Sequence, residues 1–469
     1  MDGPKTPLIF PHLRWRTQLA AIAVALPAAL FYTMLFRLSM NLPLGDDYEA
    51  LLDFLNHATT LHGVGARASY FLGAQFNEYK LFLAHSVGWL QFVLLGHVDL
   101  RILCAIGDAS VLLLAVVLWK MFLPRHKDLG DRLMLFIPVS WLLFQLQYAE
   151  TLNWAMPGLQ NLPVLVFSFA ALFLLARPSP RSFAGAVGCL VLSICASGNG
   201  FFLVPIGLLM LAIDRRYAGI AIWLLVTMGC MLAYAYHYNV YSSQARTNQS
   251  VLAVATHLRP LYALAFMGNA ASAIPEGHVA QFELPASLIL GGILCVFGVV
   301  LWRRRYFRRN PLIGHCFLFL LFTSVGVAGL RSEIGIGQSL AARYAIYSLL
   351  FLIFAWFAFV EEFLLNSRSA FRRNRVLVAT GIGAIVFALI MDRRGALFLQ
   401  WRDATIVTGM EAFEHPGSTQ GPILPVEGQG ARSEKEATDA RLILQRSIEL
   451  GIYQPPRLLP TRRNSGGSI

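Results

Sequence analysis

The sequence predicts an all-α polytopic membrane protein, on three observations. Of 469 residues, 56% are hydrophobic and only 14% charged, where a soluble domain carries about 25% charged; mean hydropathy is +0.57. Several apolar runs approach or exceed the roughly 18 to 20 residues that cross a bilayer. The Lys and Arg behind the net charge of +12 lie mostly in short clusters between those runs. That is the pattern of orientation signals, so no nucleic-acid partner is expected.

The chain opens with Lys5, Arg14 and Arg16 ahead of an apolar run from about Thr17 to Phe36. The run is too long for a signal-peptide core and lacks a clear cleavage site, which makes it a retained anchor with a cytoplasmic N-terminus. The acidic stretch GDDYE (Gly45–Glu49) then emerges outside and starts a first outer loop, residues 41–100. Within it, Leu81–Gly96 is interrupted by His85, Ser86 and Gln91. As a span it would place Lys120, Arg125, Lys127 and Arg132 outside, against the positive-inside rule. As an amphipathic helix on the outer interface it leaves Arg101–Met121 as the second span, and we take that reading.

Later spans fall at about 132–148, 162–176, 182–196, 200–213, 218–238, 285–302, 312–330, 342–365 and 375–391, about eleven in all. The cytoplasmic loops then hold Arg177 and Arg181, Arg215 and Arg216, WRRRYFRRN (Trp302–Asn310) and SRSAFRRNR (Ser367–Arg375). The pair flanking Ser197–Gly200 counts as two short spans, with a re-entrant hairpin as the alternative. From Asp392 the chain turns polar, with one helical stretch at Ala431–Leu450. The division is therefore a multispan membrane domain, residues 1–391, and a small polar extracytoplasmic tail, residues 392–469.

Unusual polar residues gather in the outer loops. They are Asp46, Asp47 and Glu49; Asn77, Glu78 and Lys80 in FNEYK; Asp99 and Arg101 in HVDLR; Glu150 and Asn153 in YAETLNWAMPGLQN; Asn199 in SGNG; and Arg331, Arg343 and Tyr344 in RSEIGIGQSLAARY. Adjacent carboxylates raise each other's pKa when desolvated together, which suits one of them to proton transfer. The plain alternative is a helix start, since Asp is a favoured N-cap. Lys80, Arg101, Arg331 and Arg343 have the chemistry to bind a phosphate, or to snorkel from span ends. The acids offer oxygen ligands to a divalent cation, but no spacing forces one, and the cofactor stays unassigned. The six cysteines all sit in apolar segments, without disulfide or zinc spacing.

A cytoplasmic N-terminus, one span, an acidic motif, and a second span opening with G-x-x-x-x-R (Gly96–Arg101) resemble the GT-C fold glycosyltransferases. These are multispan enzymes that use polyprenyl-phosphate-linked sugars, among them the aminoarabinose, mannosyl and lipopolysaccharide-core transferases. The phrases NEYK, ETLNWAMPGLQN and GQSLAARYAIYS are similar to a group of bacterial multispan proteins placed near that superfamily. The resemblance implies a bacterial inner-membrane enzyme with a polyprenyl-phosphate-sugar donor and an envelope glycan or lipid acceptor. It matches the family's catalytic Asp to Asp46 or Asp47, and its acid before the second span, which in some members helps hold a metal, to Asp99. Glu78 and Glu150 would position sugar hydroxyls. The chain has no counterpart of the large C-terminal domain that some members carry.

Two rivals come from other classes, a transporter or flippase for a lipid-linked or anionic solute, and a non-catalytic envelope-assembly protein. Transporters tend to place ionisable groups at the bilayer midplane, whereas these spans are almost clear of charge.

Overall fold

The computed structural model describes residues 14–122, 128–239, 260–272, 282–332, 335–366, 369–414 and 431–456. Lys5, Arg125, Lys127, His257, His278 and most of the 239–283 segment lie outside the described residues. Those described are helical, with isolated bridges at Phe76–Tyr79 and Val98–Tyr453 in place of any sheet.

Helix α1 (Arg14–Arg37) leads into the first loop. The loop holds a wide π turn (Tyr48–Asp53) continuing into α2 (Phe54–Thr60), then α3 (Val64–Gly73) and α4 (Phe82–Leu95). Next come α5 (Leu100–Met121), α6 (Leu129–Leu143), α7 (Ala155–Leu175), α8 (Pro180–Ala196), α9 (Leu203–Ile213) and α10 (Tyr217–Ala235). Helices α11 (Pro260–Met267), α12 (Glu283–Arg303), α13 (Tyr306–Arg309), α14 (Pro311–Arg331), α15 (Ala345–Phe359), α16 (Ala370–Glu414) and α17 (Ala431–Glu449) complete the chain.

Local chemistry sets the boundaries. Asp99 caps α5 by accepting the Arg101 N–H at 2.9 Å, and Asn310 caps α14 ahead of Pro311 at its first position; both are favoured arrangements. Gly96, with φ +76°, ends α4 in the left-handed conformation. Small residues let the bundle close. A Cβ on Gly107 of α5 would stand 2.8 Å from the Gly158 carbonyl carbon of α7, so the two backbones touch.

Among the described residues eight helices, rather than the eleven expected, are long and apolar enough to cross a membrane. They are α1, α5, α7, α10, α12, α14, the Ala342–Leu364 stretch around α15, and α16. The other three expected spans, at 132–148, 182–196 and 200–213, form α6, α8 and α9, of 15, 17 and 11 residues. At 1.5 Å per residue a 15-residue helix covers about 22 Å, short of the roughly 30 Å hydrocarbon core. Hydropathy marks an apolar run but not where its helix stops. Helix α4, at 14 residues, is also too short. It buries Ala84, His85, Gly88 and Gln91 and exposes Leu90, Val93, Leu94 and Leu95.

The main core lies among the spans, from Phe31 through Phe169 and Phe319 to Phe357. A second core joins the first loop to distant parts of the chain, placing Leu44, Leu51 and Leu55 with Leu159, Met410, Leu444 and Tyr453. Helix α16 does not stop at 391; it runs unbroken to Glu414, about 67 Å at 1.5 Å per residue. Helix α17 then docks on the first loop. The Ser447 hydroxyl donates to Asn56 Oδ1 at 2.9 Å, and the Tyr453 hydroxyl to the Asn41 carbonyl at 2.6 Å.

Candidate functional site

Side-chain contacts gather one set of helix ends. The Asn153 amide donates to the Leu35 carbonyl at the end of α1, Lys80 reaches Tyr236 just past α10, and Arg331 at the end of α14 reaches back to the first loop. Here several of the polar residues singled out by the sequence converge.

The two adjacent aspartates separate into different roles. Asp47 is 1% exposed, and both its oxygens are engaged. Oδ1 accepts the Met156 N–H at 2.8 Å, and Oδ2 accepts the Leu44 N–H at 3.2 Å. Burial lifts its carboxyl to about 7 against those two bonds. The turn before it is clamped as well. Trp154 Nε1 donates to the Leu44 carbonyl at 2.9 Å, and the indole covers Gly45, whose φ is +48°. A Cβ there would sit 2.8 Å from the ring, so the turn takes only glycine.

Asp46 is half-buried, and its carboxylate makes no hydrogen bond among the described residues. Burial raises its pKa, while Arg343 and then Arg331 pull it down and Glu78 pushes it up. It therefore lies within electrostatic range of both arginines and of Glu78. A partly desolvated carboxylate with raised proton affinity and open lone pairs is chemically suited to accept a proton.

Opposite stand the arginines. Arg331 forms an ion pair with Glu78, and its Nη2 donates to the Tyr79 hydroxyl at 3.1 Å. The Arg343 N–H donates to Glu150 at 3.0 Å, and its guanidinium lies 5.5 Å from the Tyr344 ring centre. The Tyr344 ring packs 5.1 Å from Phe266.

Other residues marked by the sequence stand elsewhere or are engaged by the backbone. Lys80 is fully buried and donates at 2.8 Å to the carbonyls of Leu72, Gly73 and Tyr236; it ties the end of α3 to the end of α10. Asp99 and the exposed Arg101 pair with each other at 2.5 Å at the start of α5. Glu49 is exposed on the π turn. Asn77 and Asn153 hold left-handed turn positions, each with φ +49°. The Asn153 N–H donates to Asp108 Oδ2 at 3.3 Å. Asn199, at the tip between α8 and α9, donates to the Tyr347 hydroxyl at 3.0 Å, while its own Oδ1 is buried without a partner.

Three tyrosines join the cluster without having been marked by the sequence. Tyr79 meets Arg331, Tyr347 meets Asn199, and the fully buried Tyr262, its hydroxyl unpartnered, lies in the electrostatic range of Arg331 and Arg343. Tyrosine at span ends is ordinary, so no single position drew attention. Among the described residues no group of three or more His, Cys, Asp or Glu is arranged to hold a metal ion.

No protein-family profile, curated protein or solved structure matches the chain. Fold and site together define an all-α polytopic membrane protein with an acidic, arginine- and tyrosine-rich cluster at one set of helix ends.

Proposed function

We propose that the chain is a membrane glycosyltransferase of the bacterial inner membrane. It moves a sugar from a polyprenyl-phosphate donor to an envelope lipid or glycan on the periplasmic side. The observation that carries this reading is the Asp46 carboxylate, half-buried and without a hydrogen bond among the described residues, within electrostatic range of Arg343 and Arg331. An acceptor hydroxyl attacks the anomeric carbon, its proton passes to Asp46, and the bond from sugar to phosphate breaks. A single displacement of this kind inverts the anomeric centre through an oxocarbenium-like transition state. Arg331 and Arg343 neutralise the departing phosphate. Asp47, with both oxygens committed to backbone N–H groups, shapes the turn and is not the base.

The test is Asp46→Asn in cells. At normal protein level one envelope sugar is lost, with transfer down on the order of 100-fold or more. Unaltered envelope glycans in this variant overturn the reading. Unaltered glycans with abolished uptake or flipping of an anionic lipid-linked solute replace it with transport.

A further inference from the structure

The acidic and basic sides of the site share one buried support that the chemistry above does not use. Arg402, in α16, is 4% exposed. Its Nη1 donates to the carbonyls of Ala149 at 3.4 Å and Leu152 at 3.1 Å, and its Nη2 to that of Asn153 at 3.2 Å. Asp403, Cys104, Asp108 and Asp47 lie within its electrostatic range.

Each end of the gripped segment leads to one side of the site. Ala149 precedes Glu150, which holds the Arg343 N–H. Asn153, fixed from behind by Asp108, precedes Trp154 and Met156, which hold Leu44 and Asp47. A planar guanidinium can bond several carbonyls at once in fixed directions, whereas an isolated buried charge is strongly unfavourable.

We propose that Arg402 is a positioning residue of the Asp46 site, holding the 149–153 turn so that Asp46 and Arg343 keep a fixed separation. The long C-terminal helix is then part of the site and not an appendage. The inference takes only the site's location from the proposed function, and its geometry stands without sugar transfer.

The test needs no substrate. The full-length protein in lipid nanodiscs is treated with a hydrophobic carbodiimide, which reacts with protonated carboxyls, across a pH series. Labelling of Asp46 is read by peptide mass spectrometry in wild type, Arg402→Gln and Arg402→Lys. The charged groups that act on Asp46 are Arg343, Arg331, Glu78 and its neighbour Asp47, and Arg343 is the strongest of those favouring its charged form. If Arg343 drifts away, Asp46 keeps its proton to higher pH. The expected result is an upward move of the labelling midpoint by about one pH unit in Arg402→Gln, a tenfold change in proton affinity. Arg402→Lys, keeping the charge without the fork, gives a smaller move. If Arg402→Gln unfolds, which brings every carboxyl to its ordinary range, the lysine variant decides. An unchanged midpoint in the folded variants overturns the proposal, even where transfer activity falls. A moved midpoint alongside normal glycans in Asp46→Asn keeps this inference and discards sugar transfer.

Discussion

The two ends of the helix bundle both bring arginines to carboxylates, yet they treat them differently. At the end opposite the candidate site, Glu362 receives Arg309 at 2.6 Å and Arg304 at 3.6 Å. Glu361 receives the Tyr306 hydroxyl and the Asn310 amide, each at 2.8 Å. Both acids are answered by side chains of the α12–α14 connection, and the network ties that connection to the wide turn after α15. At the candidate site, the Asp46 carboxylate makes no hydrogen bond among the described residues, and the Asn199 Oδ1 and Tyr262 hydroxyl are buried without partners there. Buried polar groups in folded proteins are nearly always paired. A completed network holds helices together, while an incomplete one beside two arginines has bonding capacity left for something else. The same residue types thus make a closed network in the α12–α14 connection and an open one at the candidate site.

The contrast can be broken by mutation, with the largest effect expected at the arginines. Arg343→Gln should lower transfer by about 100- to 1000-fold, the usual consequence of removing a group that stabilises developing charge, with protein level preserved. Measured transfer in membranes within a few-fold of wild type would remove Arg343 from the chemistry.

Asp47→Asn should act on stability. An asparagine turns its amide toward one of two N–H donors, leaving that donor unpaired at a cost of about 1–3 kcal/mol, read as a lowered melting temperature in detergent. The sign of the pH dependence follows from the raised pKa. Folded Asp47 binds its proton up to about 7, and the unfolded chain releases it near 4. Asp47's contribution is therefore fully present below about 4 and is lost as pH rises toward 7. The wild-type melting temperature should fall across that window, and the variant should show a shallower slope. An equal slope in both would show that Asp47 does not titrate as placed.

Glu362→Gln should matter least. Its arginine partners are half exposed, at 55% and 53% of their side-chain surface, and such pairs contribute up to about 1 kcal/mol. A small drop in melting temperature with normal glycans is the expected outcome. Loss of a glycan here would erase the distinction between the two ends.

Much of the site could be read from the sequence because charge is scarce in this chain. Asp46, Glu78, Glu150, Arg331 and Arg343 stood out as ionisable groups in apolar surroundings, and the structure brings them together. What the sequence could not supply was the division of labour. Asp46 and Asp47 are chemically identical neighbours, and only the fold commits both oxygens of one to backbone donors. Lys80 and Arg101 carry the same charge as Arg331, but local carbonyls occupy the first and Asp99 the second. Arg402 escaped notice for another reason. It falls in a stretch whose polar composition reads as a tail, while it lies inside a continuous helix. The expected number of crossings exceeded the eight long apolar helices because composition does not show helix length: α6, α8 and α9 are too short.

The docking of α17 has a consequence for how the protein is made. Asn56 meets Ser447 across 391 positions, and Asn41 meets Tyr453 across 412. The first loop precedes Leu444 and Tyr453 in the chain by hundreds of residues, yet the core that shapes it includes both. Until that later segment has been made, the packing that shapes the first loop is incomplete.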